Sequence, residues 1–357
     1  MRVAVWYWGR RGGGAHYTAA LAEALAQRTD VTVSAHVSSE LSTLGRLAQA
    51  VPGTVTAAVR TRRGLVRTIG LGKLSITEFV RLHRPDVILQ TMVNPVSPLA
   101  WPALRRTGVP VVTVIHDAIA HPGDRHRGME ASNRFWMSAS ARLIAPSDHV
   151  ARLTRSRTST PVDVVSLGPH LALDDLWDPH GFVLFLGRMR AYKGLDILAD
   201  AWSALDPIDR QAGLHVIGEV TNDPSVQRAV EALREIGATV DTRWIADDAV
   251  RHAIDGARLM VLPYREASQS GVVTLARSAR IPILATNVGG LAEQVGAAGL
   301  LVEPTGADIA SGLRVLLRDP VPLAALHDAA AASTDAEQWR AITDRLFLAL
   351  EEVGKAT

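Results

Sequence analysis

The chain has 357 residues, of which 47% are hydrophobic and 21% are charged, a balance typical of globular proteins that excludes disordered and fibrous classes. Its length exceeds what one ordinary hydrophobic core accommodates and predicts two domains of similar size. The lack of cysteine excludes disulfide frameworks, thiolate zinc sites and cysteine nucleophiles, and it suits a reducing compartment.

The first eight residues form an apolar run that predicts a buried strand. The run is too short for a signal peptide, and no cleavage-site pattern follows it. No apolar stretch of the sequence reaches the roughly 18 residues that spanning a bilayer requires. We therefore expect a cytoplasmic protein whose membrane contact, where it has one, is peripheral and at the inner face of the membrane.

The net charge of +2 hides an asymmetry between the two halves of the chain. Residues 1–170 carry 21 Lys and Arg against 10 Asp and Glu, a balance of +11, whereas residues 171–357 carry 17 against 26, a balance of −9. The basic half suggests an anionic membrane, a phosphate-linked lipid acceptor or an acidic glycan as partner, with a merely solvated face as the alternative. Nucleic acid fits less well, because aromatic residues do not interleave these charges. The densest basic stretch contains Arg60, Arg62, Arg63, Arg67 and Lys73.

Short apolar runs alternate with longer helix-like stretches, which is typical of βα units and parallel sheets. The candidate strands of the first half are Arg2–Trp6, Val31–Ala35, Val87–Gln90, Val111–Ile115 and Leu143–Ala145. The amphipathic stretch Tyr17–Gln27 predicts a helix after the first strand. The candidate strands of the second half are Phe182–Leu186, Leu214–Ile217, Leu259–Leu262, Ile283–Ala285 and Leu300–Leu301. The pattern predicts an α/β protein with two doubly wound, Rossmann-like domains.

A linker is predicted over Gly168–Pro179, where Gly, Pro and acidic residues interrupt the periodicity. We place the boundary near residue 172, which gives an N-terminal domain over residues 1–171 and a C-terminal domain over residues 172–335. After the helix cap Asp335, apolar residues recur at three- and four-residue spacing. They predict a terminal helix over residues 336–357, which we expect to pack back on the N-terminal domain.

A glycine-rich turn, Gly12-Gly13-Gly14, follows the first strand and opens the next helix. A glycine backbone can approach another molecule closely, and a helix start offers free N–H groups to an anion. The spacing matches neither Gly-x-Gly-x-x-Gly nor a Walker loop, so a simple tight βα turn remains the alternative.

Two cations follow the first strand of the second half, in the segment from Gly187 and Arg188 to Lys193 and Gly194. Parallel sheets place ligands at the carboxyl ends of their strands. Arg188 can bind phosphate oxygens in a bidentate manner and Lys193 can act as a point charge, so the segment predicts a diphosphate clamp. Two solvated loop cations are the alternative for this segment taken alone.

A small-residue loop, Ser268-Gln269-Ser270-Gly271-Val272, follows a later strand and enters a helix. Its backbone N–H groups are suited to anionic oxygens. Further on, Gly289-Gly290-Leu291 precedes Glu293, and in the first half His116-Asp117 follows a strand.

These motifs, in this order over nearly the whole chain, resemble those of the retaining glycosyltransferases of family 4, which have the GT-B fold. The resemblance implies two Rossmann-like domains that face each other across a cleft. It also implies that the C-terminal domain binds most of a nucleotide-sugar donor and that the N-terminal domain binds the acceptor.

The resemblance further implies roles for individual residues. Arg188 and Lys193 would neutralise the donor diphosphate and stabilise the leaving group, while His116 would hydrogen-bond the transferred sugar near the reacting carbon. A core histidine is the alternative for His116. The residues expected to bind the donor in addition are Gly13, Gly14, Gly187, Glu266, Ser268, Ser270, Gly271 and Val272.

The chain departs from the family in one respect. Family members usually carry a Glu-x7-Glu pair that contacts the donor sugar and the ribose. Matching Gly271 to the glycine of that motif places Ser268 and Ala276 at the two Glu positions. Glu266 lies two residues early, about 6–7 Å away along an extended chain. How the ribose is recognised, and which sugar and base the donor carries, therefore stay open.

The resulting hypothesis is a retaining, metal-independent glycosyltransferase that uses a UDP- or GDP-sugar and needs no cofactor. Its acceptor would be a glycan, a lipid-linked compound or a small molecule. We predict no metal site, because the His and Asp residues from His116 to Asp124 match no zinc-ligand spacing. The alternatives are a catalytically silent relative that binds a nucleotide-sugar or glycan, and a GT-B sugar-nucleotide epimerase; a phosphorylase fits poorly because only three lysines are present.

Overall fold

The computed structural model describes residues 1–57, 75–119, 127–169, 173, 175–245, 249–332 and 335–355. These residues form two compact units. The first contains the described residues up to 169 together with residues 336–355, and the second contains those from 173 to 335.

The first unit is built on a seven-stranded parallel sheet. Its strands are β1 (Arg2–Tyr7), β2 (Thr32–Ser38), β3 (Thr54–Ala57), β4 (Val87–Gln90), β5 (Val111–Val114), β6 (Arg142–Ala145) and β7 (Val162–Val164). They lie in the order β3-β2-β1-β4-β5-β6-β7, so the chain direction across the sheet reverses between β1 and β4. In doubly wound sheets such a reversal opens a crevice at the carboxyl ends of the strands, where ligands bind.

Helices cover both faces of this sheet. They are α1 (Gly13–Ala26), α2 (Leu44–Ala50), α3 (residues 75–83), α4 (Trp101–Thr107), α5 (Arg127–Ala139) and α6 (Asp148–Arg155). Buried side chains form one cluster that includes Leu21 and Leu89 and another that includes Trp6 and Trp136. Alternating positions of β1, such as Val5 and Trp6, enter opposite clusters, because successive strand residues point to opposite faces.

The second unit contains a six-stranded parallel sheet. Its strands are β8 (Phe182–Leu186), β9 (Leu214–Ile217), β10 (Thr239–Asp241), β11 (Ala257–Leu262), β12 (Ile283–Thr286) and β13 (Gly299–Val302), in the order β10-β9-β8-β11-β12-β13. Its helices are α7 (Leu195–Ser203), α8 (Pro224–Glu235), α9 (Val250–Ile254), α10 (Gly271–Ser278), α11 (Leu291–Val295), α12 (Gly306–Arg318) and α13 (Pro320–Ala331). Here the reversal lies between β8 and β11.

The last helix, α14 (Asp335–Lys355), contributes to the core of the first unit. Its buried apolar side chains are Ile342, Leu346, Ala349, Leu350 and Val353. Trp339 Nε1 donates a hydrogen bond to the carbonyl oxygen of Pro169 at 2.7 Å, and Arg28 pairs with Asp344. The buried apolar side chains of α14 recur with the 3.6-residue period of a helix, so they form one buried stripe along it.

The central strands lie where the sequence predicts them, whereas the short edge strands β3, β7 and β10 were not predicted. Each of these three strands is short and contains Thr or Asp, so it lacks the continuous apolar run of a buried parallel strand. Asp163 in β7 and Asp241 in β10 illustrate this. Of the described helices, none has the length and apolar character that crossing a membrane would demand.

Candidate functional site

Most of the predicted donor-binding residues of the second unit meet where its sheet reverses. Strand β8 ends at Leu186 and is followed by Gly187, while the neighbouring β11 ends at Leu262 and is followed by Pro263 and Tyr264. Because the strands are parallel, both loops emerge at the same edge of the sheet. The site is therefore assembled from two loops and the helix starts that follow them.

Lys193 is the buried cation of this site. It ends a short 3-10 turn over Ala191–Lys193 and is only 9% exposed. Its Nζ donates a hydrogen bond to Tyr264 Oη at 2.7 Å and lies 4.4 Å from the centroid of the same ring. A buried ammonium is costly unless polar groups or an anion compensate it. The position therefore suits a ligand that brings negative charge.

Gly187 allows the end of β8 to lie close to the Lys193 ammonium. Its φ of +117° is a backbone conformation that L side chains rarely adopt. A β-carbon at Gly187 would lie 3.4 Å from Lys193 Nζ and 3.5 Å from Val272 Cγ2. The end of β8, the ammonium and the first turn of α10 thus surround one small space, which only a residue without a side chain leaves open.

The start of α10 supplies fewer free amides than the sequence suggested. Ser270 is the N-cap: its Oγ accepts from the Val272 N–H at 3.3 Å, and its own N–H donates to Gln294 Oε1 at 2.6 Å. We expected the N–H groups of Ser270, Gly271 and Val272 all to be open to the donor. Among the residues that the structure describes, only the Gly271 N–H of these three lacks a protein partner, since a serine N-cap takes up the N–H two residues on.

Arg188 is exposed and forms no ion pair or hydrogen bond within the described part of the chain. The nearby Arg265 behaves differently, because its guanidinium pairs with Asp196 and donates to the carbonyl oxygen of Ala191 at 3.3 Å. Arg188 is therefore the guanidinium at the end of β8 that can turn to a phosphate without first breaking an ion pair.

The loop between β11 and α10 is held by the segment that follows β12. Thr286 Oγ1 donates to the carbonyl oxygen of Tyr264 at 2.6 Å, and the Gly290 N–H donates to that of Ala267 at 2.9 Å. A β-carbon at Gly289, where φ is +55°, would lie 1.8 Å from the same Ala267 oxygen. The Gly289-Gly290 motif thus allows two backbones to pack directly together.

The two residues at the usual Glu positions lie in different surroundings. Ser268 is 5% exposed in the loop, and Ala276 is completely buried in the core of the second unit. A carboxylate at position 276 would therefore enter an apolar environment in this chain. Glu266 lies partly buried in the same loop as Ser268.

The predicted residues of the first unit follow the carboxyl ends of two strands: Gly13 and Gly14 come after β1, and His116 comes after β5. Gly13 is exposed, and a β-carbon there would meet nothing within 4 Å, whereas one at Gly14 would lie 2.5 Å from Met92 Sδ. His116 is 9% exposed, and its Nε2 donates to the carbonyl oxygen of Thr91 at 2.9 Å. Burial lowers the pKa of His116, so the ring is neutral near pH 7.

Several predicted features lie outside the described residues: His121 and Asp124, and the basic stretch from Arg60 to Lys73. Within the described ranges there is no group of three or more His, Asp or Glu side chains arranged to hold a metal ion.

Sequence reasoning missed Tyr264 and Gln294 as members of the site. Tyr264 could have been found from the sequence, because it lies two residues after the end of the apolar run that forms β11. Gln294 carried none, since it reaches Ser270 from a different helix, 24 residues along the chain.

Comparison with known families matches both halves of the chain. The family described as Glycosyltransferase Family 4 matches residues 11–172, and the one described as Glycosyl transferases group 1 matches residues 181–319. A GDP-mannose:glycolipid 4-beta-D-mannosyltransferase of Xanthomonas campestris pv. campestris is 26% identical over 245 residues, covering 62% of this chain and 66% of the relative.

A D-inositol 3-phosphate glycosyltransferase of Rhodococcus opacus is 26% identical over 288 residues, covering 70% of this chain and 63% of the relative. The chain thus spans slightly less than two thirds of the length of either relative. Among solved structures, HepE of Anabaena in complex with UDP and glucose matches with a TM-score of 0.75 and 16% identity, covering 98% of this chain and 99% of that one. At this identity the likeness shows the fold, which is the GT-B fold that the sequence predicted.

Proposed function

The chain belongs to glycosyltransferase family 4, and on that premise we propose that it transfers a sugar from a nucleotide-sugar donor to an acceptor with retention of anomeric configuration. The donor is a UDP- or GDP-sugar, bound mostly by the C-terminal domain, residues 172–335. The acceptor is a glycan, a lipid-linked compound or a small molecule, bound by the N-terminal domain, residues 1–171.

One observation carries the donor assignment. The buried ammonium of Lys193, the backbone of Gly187 and the start of α10 surround one space at the point where the sheet reverses. Cations, glycine backbone and a helix N-terminus are the groups that bind phosphate in proteins. The complex of HepE with UDP and glucose, which has the same fold, agrees with a nucleotide ligand.

Catalysis in this proposal relies on stabilising the departing diphosphate. Arg188 and Lys193 stabilise the negative charge that develops as the bond between the sugar and the phosphate breaks. His116 hydrogen-bonds the transferred sugar as a neutral imidazole, and the backbone of Gly13 and Gly14 contacts the donor phosphates. Retention is what the family implies, and in this proposal it follows a front-face course, in which the departing phosphate accepts the proton of the acceptor hydroxyl. The reaction needs no metal ion.

The acceptor is proposed to be anionic or lipid-linked. The first half of the chain has a charge balance of +11, and the Xanthomonas relative acts on a glycolipid according to its name. An excess of Lys and Arg in this half favours peripheral contact with the anionic inner face of a membrane. Flotation with vesicles of anionic and of neutral lipids tests this membrane contact. We expect the protein to float with the anionic vesicles only, and to dissociate from them at high salt.

The experiment that tests the proposal as a whole is a thermal-shift screen over a panel of nucleotide-sugars. A donor at 100 times its dissociation constant stabilises the protein by about 2.7 kcal/mol, which is easily measured. Arg188→Ala and Lys193→Ala are each expected to reduce this stabilisation by about half or more. If no compound of the panel binds, the donor assignment is wrong.

A catalytically silent relative and a sugar-nucleotide epimerase make different predictions. The silent relative binds the donor but releases no nucleoside diphosphate with any glycan or lipid acceptor. The epimerase converts its donor into another sugar nucleotide with no acceptor present. Chromatography of nucleotides after incubation with and without acceptors separates all three functions.

A further inference from the structure

Tyr264 contacts Lys193 in two ways. Its Oη accepts a hydrogen bond from Nζ at 2.7 Å, and the ammonium lies 4.4 Å from the ring centroid. Tyr264 is 1% exposed and Lys193 is 9% exposed, so water competes little with either contact. An ammonium on a flexible four-carbon stem is thereby held in one place.

Tyr264 is itself fixed at both ends. Its carbonyl oxygen accepts from Thr286 Oγ1 at 2.6 Å, and its Oη lies 3.4 Å from Ser270 Oγ. Ser270 is the N-cap of α10. A chain of polar contacts therefore runs from the ammonium through the phenol to the start of the helix.

The chemistry of a phenol suits this task better than that of a carboxylate. A carboxylate beside an ammonium cancels much of its charge and competes with a bound anion, whereas a neutral hydroxyl accepts the hydrogen bond and leaves the charge intact. Burial raises the pKa of Tyr264, and the hydrogen bond to Ser270 offsets this only in part. The phenol is therefore neutral at physiological pH.

We propose that Tyr264 is a positioning residue that holds the charged Lys193 ammonium at the end of β8, ready for the diphosphate of the donor. This inference rests on the proposed function, because it requires a diphosphate ligand. It assigns a role to a residue that touches Lys193 and acts through it. Donor affinity then depends on one hydroxyl group outside the pair of cations.

The test is a double-mutant cycle with Tyr264→Phe and Lys193→Met, measured as the affinity for UDP and GDP by calorimetry. Tyr264→Phe keeps the ring and removes only the hydroxyl. It is expected to weaken binding about 10-fold, which corresponds to one hydrogen bond to a charged group. In the Lys193→Met background the same change is expected to alter affinity by less than about twofold, because the hydroxyl acts through the missing ammonium.

The outcomes separate this inference from the function on which it rests. If the wild-type protein binds neither nucleotide, the proposed function and the inference fall together. If it binds one of them and Tyr264→Phe binds equally well, only the role of Tyr264 is overturned. Equal losses in both backgrounds show a purely structural effect of the hydroxyl and also overturn the role.

A second measurement uses the unmodified tyrosine, in case Tyr264→Phe does not fold. Inorganic diphosphate is transparent in the near ultraviolet, so its binding is followed through tyrosine absorption. The wild-type protein is expected to show a tyrosine difference spectrum that saturates with diphosphate and is lost in Lys193→Met. A wild-type protein that binds diphosphate without such a spectrum contradicts the inference.

Discussion

The imidazole Nε2 of His116 donates a hydrogen bond to the carbonyl oxygen of Thr91 at 2.9 Å. Because a carbonyl oxygen only accepts, this nitrogen carries a proton, and Nδ1 of the neutral ring is an acceptor. Desolvation lowers the pKa of His116, and the hydrogen bond to Thr91 and the charge of Asp117 oppose this. The two residues follow neighbouring strands, so the sheet itself fixes the tautomer.

We expect His116→Ala to lower kcat about 100-fold while the affinity for the nucleoside diphosphate stays within about twofold, because the ring orients the sugar and not the diphosphate. Steady-state kinetics and calorimetry measure the two quantities. His180→Ala, which removes an exposed histidine from a turn of the second unit, is the matched control. A parallel loss of kcat and of diphosphate affinity would place His116 outside this role.

The two cations of the second unit should contribute to donor binding to a similar degree. We expect Arg188→Ala and Lys193→Met each to weaken UDP or GDP binding by about 10- to 100-fold, the range for hydrogen bonds to charged groups. Arg228→Ala, on the exposed face of α8, serves as the control and should bind normally. Normal binding by both site variants would show that the diphosphate binds elsewhere.

Gly187→Ala combines two effects, a strained backbone and a methyl group beside Lys193 Nζ. We expect it to lower the free energy of unfolding by about 1–3 kcal/mol and to weaken nucleotide binding. Gly213→Ala separates these effects, since φ there is +74° but a β-carbon would meet nothing within 4 Å. Thermal unfolding measures the stability of both variants, and calorimetry measures their nucleotide affinity. Equal nucleotide affinity in the two variants would show that a methyl group beside Lys193 does not impair binding.

Buried His36 should make the protein less stable in mild acid. Trp8 Nε1 donates to His36 Nδ1 at 3.1 Å, and desolvation lowers the pKa of His36 from 6.5 to about 4. Below pH 6.5 the unfolded chain binds a proton at this histidine and the folded chain does not, so the free energy of unfolding falls as the pH drops from 6.5 to about 4. The loss attributable to this residue is about 3 kcal/mol at most.

Denaturant unfolding between pH 4 and 7 measures this effect, with His36→Asn as the comparison because its amide oxygen can still accept from Trp8. Between pH 4 and 6.5, the free energy of unfolding should depend more steeply on pH in the wild-type protein than in the variant. Identical slopes would show that His36 becomes protonated in the folded state without penalty.

Much of the architecture is predictable from local composition. The central strands β4 and β8 have the predicted bounds, since a parallel strand buried on both faces is a continuous apolar run. The residues that follow such a strand can also be identified from the sequence. For this reason Gly187, Arg188 and Lys193 could be predicted as a cluster at the end of β8. The edge strands β3, β7 and β10 could not be predicted, because Thr or Asp residues interrupt each of these short runs.

The sequence by itself determined the alternation of strands and helices and the placing of chemically useful residues at strand ends. Only the tertiary structure decided which of them meet. Tyr264 lies 71 residues from Lys193 and reaches it because β11 pairs with β8. Gln294 takes the Ser270 N–H from a third element, so the open amide is that of Gly271. Strand order and register set such contacts, and these depend on how the whole sheet buries its apolar surface and not on any local pattern.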